Sequence, residues 1–154
     1  MTCELRLGRV LGLPVILGER CVGHVERAAL DGEGRYLKGL MLRRGLGGAR
    51  WVPREGVGVL GDVSVVLKMP PCRPPRDADF SLRSVKDESG LTLGRVTDAW
   101  LRPETLEITA LEVTLGPVED LLRGRLRVQE WTVQPGENGH GQVLIGRKEW
   151  EVKQ

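Results

Sequence analysis

The chain has 154 residues, of which 40% are hydrophobic and 29% are charged, and its formal net charge is +2. These values are typical of a folded protein rather than a disordered one, and so small a net charge does not by itself indicate a nucleic-acid partner. No segment approaches the roughly 18 to 20 uninterrupted apolar residues of a membrane helix, and the first residues are unlike a signal peptide, so we expect a cytoplasmic protein with no membrane span.

The first half of the chain, residues 1–68, is predicted to be built from short strands. Glycine and proline are abundant, with 21 and 9 residues, which indicates many tight turns. Two strands are predicted at Cys21–Ala29 and Tyr36–Arg43, because the Asp-Gly pair between them tolerates the positive φ of a hairpin turn. The glycine-rich run at residues 45–48 is predicted to be a loop, since it lacks the spacing of a phosphate-binding loop.

Residues 69–79 separate this half from the second half, residues 80–154. Four of these eleven residues are proline, which cannot donate to a sheet ladder and favours an extended conformation. We therefore predict a semi-rigid spacer between two modules.

The second half is predicted to repeat the same strand pattern at Leu93–Leu101 and Leu106–Leu115. The apolar positions of the second of these strands change phase near Ala110, which predicts a β-bulge of the kind that helps a sheet to curl. Pro117–Leu122 is predicted to form one short helical turn, because proline at the first position and acids in the first turn favour it. The helix is expected to end at Gly124.

The two halves have similar sequences when one is aligned on the other. A single constant offset places Gly23 on Gly94 and Val25 on Val96, and a slightly longer offset further along places Val52 on Val128. Such a repeat predicts two copies of one structural unit. The predicted fold class is therefore all-β, with two small antiparallel β-barrel-like modules in tandem.

The pattern Gly-x-x-apolar-Gly-x-Val-x-x-apolar of the second half, followed by a turn and an alternating strand, resembles the PRC-barrel domain, and the first half matches it at Val22, Gly23, Val25 and Ala28. Asp98 stands where that family often has an acidic residue, whereas the first half has Arg27 there; the other matching residues of the second half are Gly90, Leu93, Gly94, Val96 and Ala99. The resemblance implies a small antiparallel barrel that acts as an interaction module, and small stand-alone members in Gram-positive bacteria are linked to sporulation. The same domain forms the C-terminal part of a ribosome maturation factor, which implies an RNA- or ribosome-associated role as the alternative.

The sequence contains no recognisable catalytic constellation. The three cysteines are widely spaced and include no C-x-x-C pair, so neither a disulfide framework nor a zinc site is predicted. His24 is predicted in a strand and His140 in a glycine-rich turn, and no nucleophile-elbow motif accompanies them. We therefore predict a protein that is not an enzyme and that has no cofactor or metal.

The predicted partner contacts surround the glycine-rich loop of the first half; they are Arg43, Arg44, Arg50, Trp51 and Arg54. Arginine and tryptophan are enriched at binding hot spots, and arginine also contacts RNA phosphates. Trp51 has two alternative roles, since it either packs in a core or presents an aromatic and basic surface with its neighbours. The leading hypothesis is a non-catalytic protein-interaction or scaffold module that binds a protein partner, and the alternative is an RNA- or ribosome-associated accessory protein.

Overall fold

The computed structural model describes residues 3–76, 78, 82–136 and 140–146, which are mostly β-structure. Within them the strands are β1 (Leu5–Arg6), β2 (Pro14–Leu17), β3 (Arg20–Leu30), β4 (Leu37–Arg43), β5 (Ala49–Pro53), β6 (Val57–Leu60), β7 (Val65–Leu67), β8 (Leu82–Lys86), β9 (Thr92–Leu101), β10 (Ile108–Thr114), β11 (Leu126–Val128), β12 (Thr132–Pro135) and β13 (Gly141–Leu144). The helices are α1 (Leu7–Val10), α2 (Pro117–Arg123) and two 3-10 turns, Gly45–Gly47 and Arg54–Gly56.

The strands form two sheets that have the same strand order. The first sheet runs β5-β4-β3-β2-β7-β6 and the second runs β11-β10-β9-β8-β13-β12. Neighbouring strands are antiparallel except for one parallel pair in each sheet, β2 with β7 and β8 with β13. Both sheets curl, and one of them forms a half-barrel. The predicted all-β fold with two barrel-like modules in tandem is therefore confirmed.

The two long hairpins share one register. Val25 pairs with Leu42 in the first half and Val96 pairs with Val113 in the second, so the two pairs occupy equivalent positions of the sequence repeat. The register shifts also correspond, and one of them lies between Ile108 and Ala110, where the bulge was predicted. The hairpin and bulge predictions are therefore confirmed.

Helix α2 begins with Pro117 at its first position and ends before Gly124, as predicted. Gly124 adopts a φ of 75° and its amide donates to the carbonyl of Asp120 at 2.9 Å. The one-turn helix α1 was not predicted, because four residues are too few to show a 3.6-residue period.

The halves meet across an approximate two-fold axis. Tyr36 and Glu107 are equivalent positions of the repeat, and together they form an antiparallel bridge between the halves. The Leu37 amide donates to the Leu106 carbonyl at 2.9 Å, and the Ile108 amide donates to the Arg35 carbonyl at 2.7 Å. The two-fold rotation that superposes one half on the other maps each of these hydrogen bonds onto the other one, so the bridge lies on the axis.

The first residues of the chain lie on the second half, and the spacer lies on the first half. Strand β1, from the segment of residues 3–10, pairs with the end of β9. The spacer in turn covers the first sheet: Cys72 exchanges two backbone hydrogen bonds of 2.8 Å with Trp51, and Ala78 packs in one cluster with Ala29, Met41 and Trp51. The spacer is therefore part of the packed structure.

The corresponding outer face of the second sheet is polar. Glu112, the equivalent of Met41, is only 5% exposed. Its carboxylate accepts hydrogen bonds from Thr97 Oγ1 at 2.9 Å and from Arg125 Nη1 at 3.0 Å, and it pairs with Arg6 of β1. Arg6 also lies 5.0 Å over the ring of Trp100. This polar network attaches residues 3–10 to the second half.

One hydrophobic core extends through both sheets. Its fully buried side chains include Leu40 and Val52 from the first half and Leu111 and Val128 from the second. The second pair is related to the first by the offsets of the sequence repeat, so equivalent positions build both sides of the core. The halves are thus packed on each other over their apolar faces.

Candidate functional site

The predicted contact residues around the glycine-rich loop are divided between the two faces of the first sheet. Arg43 pairs with Ala49 at the end of β4, and Arg50 pairs with Leu42 on the next strand. Because paired residues project to the same face and successive residues alternate, Arg50 lies on the core side with Leu42, and Arg43 lies on the outer side. Arg44 follows β4 directly and begins the loop.

Trp51 and Arg54 lie away from the loop surface. Trp51 is 4% exposed, and its ring packs in the cluster beneath Ala78. Arg54 follows the far end of β5, and its guanidinium lies 4.3 Å over the ring of Tyr36. Of the two alternatives for Trp51, the structure therefore shows core packing, and the five residues do not form one continuous surface.

Three arginines lie at the glycine-rich loop. Arg43, Arg44 and Arg50 form no ion pair with any residue that the structure describes. No acid occurs between residues 38 and 54 of the sequence. Leu46 stands at the tip of this loop and is fully exposed. The loop is thus a basic projection with an apolar tip.

Helix α2 occupies the equivalent connection in the second half and has an apolar outer face. Val118, Leu121 and Leu122 are all exposed, Leu121 to 86%, and their spacing places them on one side of the helix. None of the helix residues is buried. The helix was predicted from the sequence but its apolar face was not, although the i, i+3, i+4 spacing of the three aliphatic residues indicates it.

One ion pair and one hydrogen bond attach α2 to the sheet below it. Arg123 Nε lies 3.6 Å from Glu119 within the helix, and Arg125 Nε lies 3.6 Å from Asp120. Asp120 also accepts a hydrogen bond from the hydroxyl of Thr114 at the end of β10. The charged side chains are therefore used in holding the helix, and the aliphatic ones remain available to a partner.

The groups with chemical reactivity are dispersed. Cys3, Cys21 and Cys72 are exposed free thiols. His24 is exposed on β3, and His140 lines a depression of about 340 Å³ with Arg83 and Lys86. No group of three or more metal-ligating side chains occurs among residues 3–76, 78, 82–136 and 140–146. The tip of the predicted turn at residues 137–139 and the last eight residues lie outside the described part of the chain.

No protein-family model matches the chain, and no curated protein matches it. Among the described residues, no helix has the length and apolarity needed to cross a membrane.

Proposed function

We propose that this protein is a non-catalytic interaction module that binds a protein partner through the outer face of α2. The observation that carries the proposal is the exposure of Val118, Leu121 and Leu122 on a helix that Asp120 attaches to the sheet through Arg125 and Thr114. Contiguous exposed aliphatic side chains on a folded protein mark interaction sites more often than single ones do. The resemblance to PRC-barrel domains, including those linked to sporulation, also supports a scaffold role in the cytoplasm.

The shape of this face favours one mode of binding. Residues spaced i, i+3 and i+4 form a ridge that enters an apolar groove on a partner. Glu119 and Arg123 pair with each other beside the ridge, so the surface around it carries little net charge. We therefore expect a partner with an uncharged, apolar groove.

The test is affinity capture of the full chain from its native cells, with quantitative comparison of two variants. Leu121→Gln/Leu122→Gln removes the ridge and keeps good helix formers. Val63→Gln is the matched control, because Val63 is also highly exposed but lies in the turn between β6 and β7. We expect the double variant to lose the partner and the control to retain it.

The purified partner then provides the affinity measurement. Burial of each leucine side chain contributes about 1.5 kcal/mol or more to the binding free energy. The double variant should therefore bind on the order of a hundredfold more weakly. Equal affinity of the double variant and the wild type would show that α2 is not the contact surface, and the proposal would fail.

A role as an RNA- or ribosome-associated accessory protein is the second candidate function. It is supported by the basic loop, where Arg43, Arg44 and Arg50 have no ion-pair partner among the described residues. Arginines without internal partners are able to neutralise phosphates, and release of counterions then makes the affinity depend on salt.

Salt titration distinguishes this candidate from the first. Two phosphate contacts to a single-stranded RNA, from Arg43 and Arg44, predict a slope of about −1.4 in a plot of log K against log salt. Arg43→Gln/Arg44→Gln should flatten the slope, whereas Arg73→Gln/Arg76→Gln, which removes the same charge from the spacer, should not. Absence of RNA binding at low salt, or equal slopes for both variants, would exclude the loop as an RNA site.

A further inference from the structure

A cavity of about 380 Å³ lies between the two halves. It is lined by α1, by the long strands β3 and β9, by β8 and by Ala78 of the spacer. Its apolar lining includes Leu7, Leu11, Ala28, Leu30, Leu82 and Val96. Ala28 and Ala99, which are equivalent in the repeat, both line it, so the cavity lies where the halves meet.

The charged side chains that line the cavity are Arg27, Arg83 and Asp98. Asp98 is already neutralised, since Arg6 Nε lies 3.3 Å from it and the amides of Gly8 and Ala99 donate to it at 2.9 and 2.8 Å. Arg83 is exposed and has no ion pair with a described residue. Arg27 is already engaged in an interaction of its own, so Arg83 is the cation of the lining that a ligand would meet.

We infer that this cavity binds a small amphipathic anion, in which a carboxylate is attached to an apolar chain or ring. Binding sites for small molecules are mostly apolar cavities of about 300–1,000 Å³ with a few polar groups that fix orientation. Here the aliphatic walls receive the apolar body, and Arg83 pairs with the carboxylate. The exposed ridge of α2 does not line the cavity, so this inference is independent of the proposed docking function.

Octanoate is a suitable probe, and octanol and acetate are its controls. Titration of the full-length protein is followed by the methyl NMR signals of Leu11, Ala28 and Val96. Octanoate should produce saturable shifts at these methyl groups, octanol should bind more weakly because it has no charge, and acetate should produce no shift at the same concentration.

Two variants test the two parts of the ligand separately. Arg83→Gln should weaken octanoate binding about tenfold, which is the usual effect of losing a charge-assisted contact, and should leave octanol binding unchanged. Leu11→Gln should weaken both ligands, and folding should tolerate it because Leu11 is half exposed. Arg95→Gln is the matched control, since Arg95 is an exposed arginine on β9 outside the cavity lining, and it should change neither affinity.

Four results would overturn the inference. The first is the absence of saturable octanoate shifts in the wild type. The second is octanol binding as tight as octanoate binding, and the third is equal octanoate affinity of Arg83→Gln and Arg95→Gln. Octanoate shifts that appear on α2 instead of at the cavity methyl groups would likewise contradict it.

Discussion

At the scale of single residues, Gly94 is required by the distance between two paired strands. A Cβ at this position would lie 1.9 Å from the carbonyl oxygen of Thr114, and at the equivalent Gly23 it would lie 2.8 Å from the carbonyl oxygen of Arg43. Both oxygens belong to strand backbone, which cannot move without breaking the hairpin register. This close approach explains why the glycine recurs in both halves.

We predict that Gly94→Ala lowers the free energy of unfolding by about 2 kcal/mol or more, because overpacking against a fixed backbone atom is costly. Urea denaturation measures this effect. Gly32→Ala is the control, since nothing lies within 4 Å of a Cβ there, and it should change stability by less than about 0.5 kcal/mol. Equal stability of the two variants would contradict a steric requirement for glycine at position 94.

Asp87 organises the turn between β8 and β9, and its titration reports that turn. The strongest influence on the pKa of Asp87 is the Ser89 hydroxyl, which lies 2.6 Å from Asp87 Oδ1 and lowers the pKa. Desolvation opposes this shift, and hydrogen bonds from the Leu91 and Ser89 amides lower the pKa further. Because the pKa of the folded state is depressed, the stabilisation is complete above the ordinary aspartate value. It is lost as pH falls through the folded pKa.

We predict that Ser89→Ala raises the pKa of Asp87 towards its ordinary value, as measured by NMR titration of the carboxyl carbon. Asp87→Asn should be less stable than the wild type at neutral pH, and the difference should disappear in acid. Ser84→Ala, on the neighbouring strand, should leave the titration unchanged. A stability difference that persists below the folded pKa would contradict this account.

At the scale of elements, attachment of residues 3–10 to the second half depends on a buried carboxylate. Glu112 is joined to Arg6 across 106 positions of the sequence. Removing one member of a buried ion pair leaves the other uncompensated. The cost here is moderated because Arg6 is 42% exposed and can regain water.

We predict that Glu112→Gln destabilises the protein by about 2 kcal/mol and detaches this segment first. The amide of Gly8, which donates to Asp98, should then exchange with solvent more than tenfold faster, whereas the Ile108 amide at the two-fold axis should not. Glu107→Gln removes an exposed pair with Arg102 and should cost less than about 0.5 kcal/mol. Unchanged exchange at Gly8 would show that Glu112 does not hold the segment.

Local elements were predictable from the sequence, and long-range contacts were not. The hairpins, the bulge near Ala110 and helix α2 depend on residues close in sequence, so composition and periodicity indicated them. The burial of Trp51 depends on Ala78, which lies far along the chain in the spacer, and nothing near Trp51 indicates that contact. The i, i+3, i+4 spacing of Val118, Leu121 and Leu122 indicates an apolar face on α2, but spacing alone does not distinguish a face that packs on the sheet from one that is exposed.

At the scale of the whole molecule, the continuous core makes the two halves one thermodynamic unit. We predict that Val85→Ala, a cavity-forming change in the second half, lowers the denaturation midpoint of both halves equally. Hydrogen exchange at Leu40 and Leu111 measures each half separately. Two separate transitions, with the first half unaffected, would contradict a shared core.

Residues 3–10 cover the second half and the spacer covers the first half, so neither half is complete without the other. A recombination event that joined only residues 82–146 to another gene would deliver a sheet without β1, so Trp100 and Glu112 would meet water. A crossover that kept residues 3–76 but replaced the sequence around Ala78 would uncover Trp51 in the same way. Recombination therefore has to keep the two halves together, because each half buries part of its surface under a segment that lies outside its own sheet.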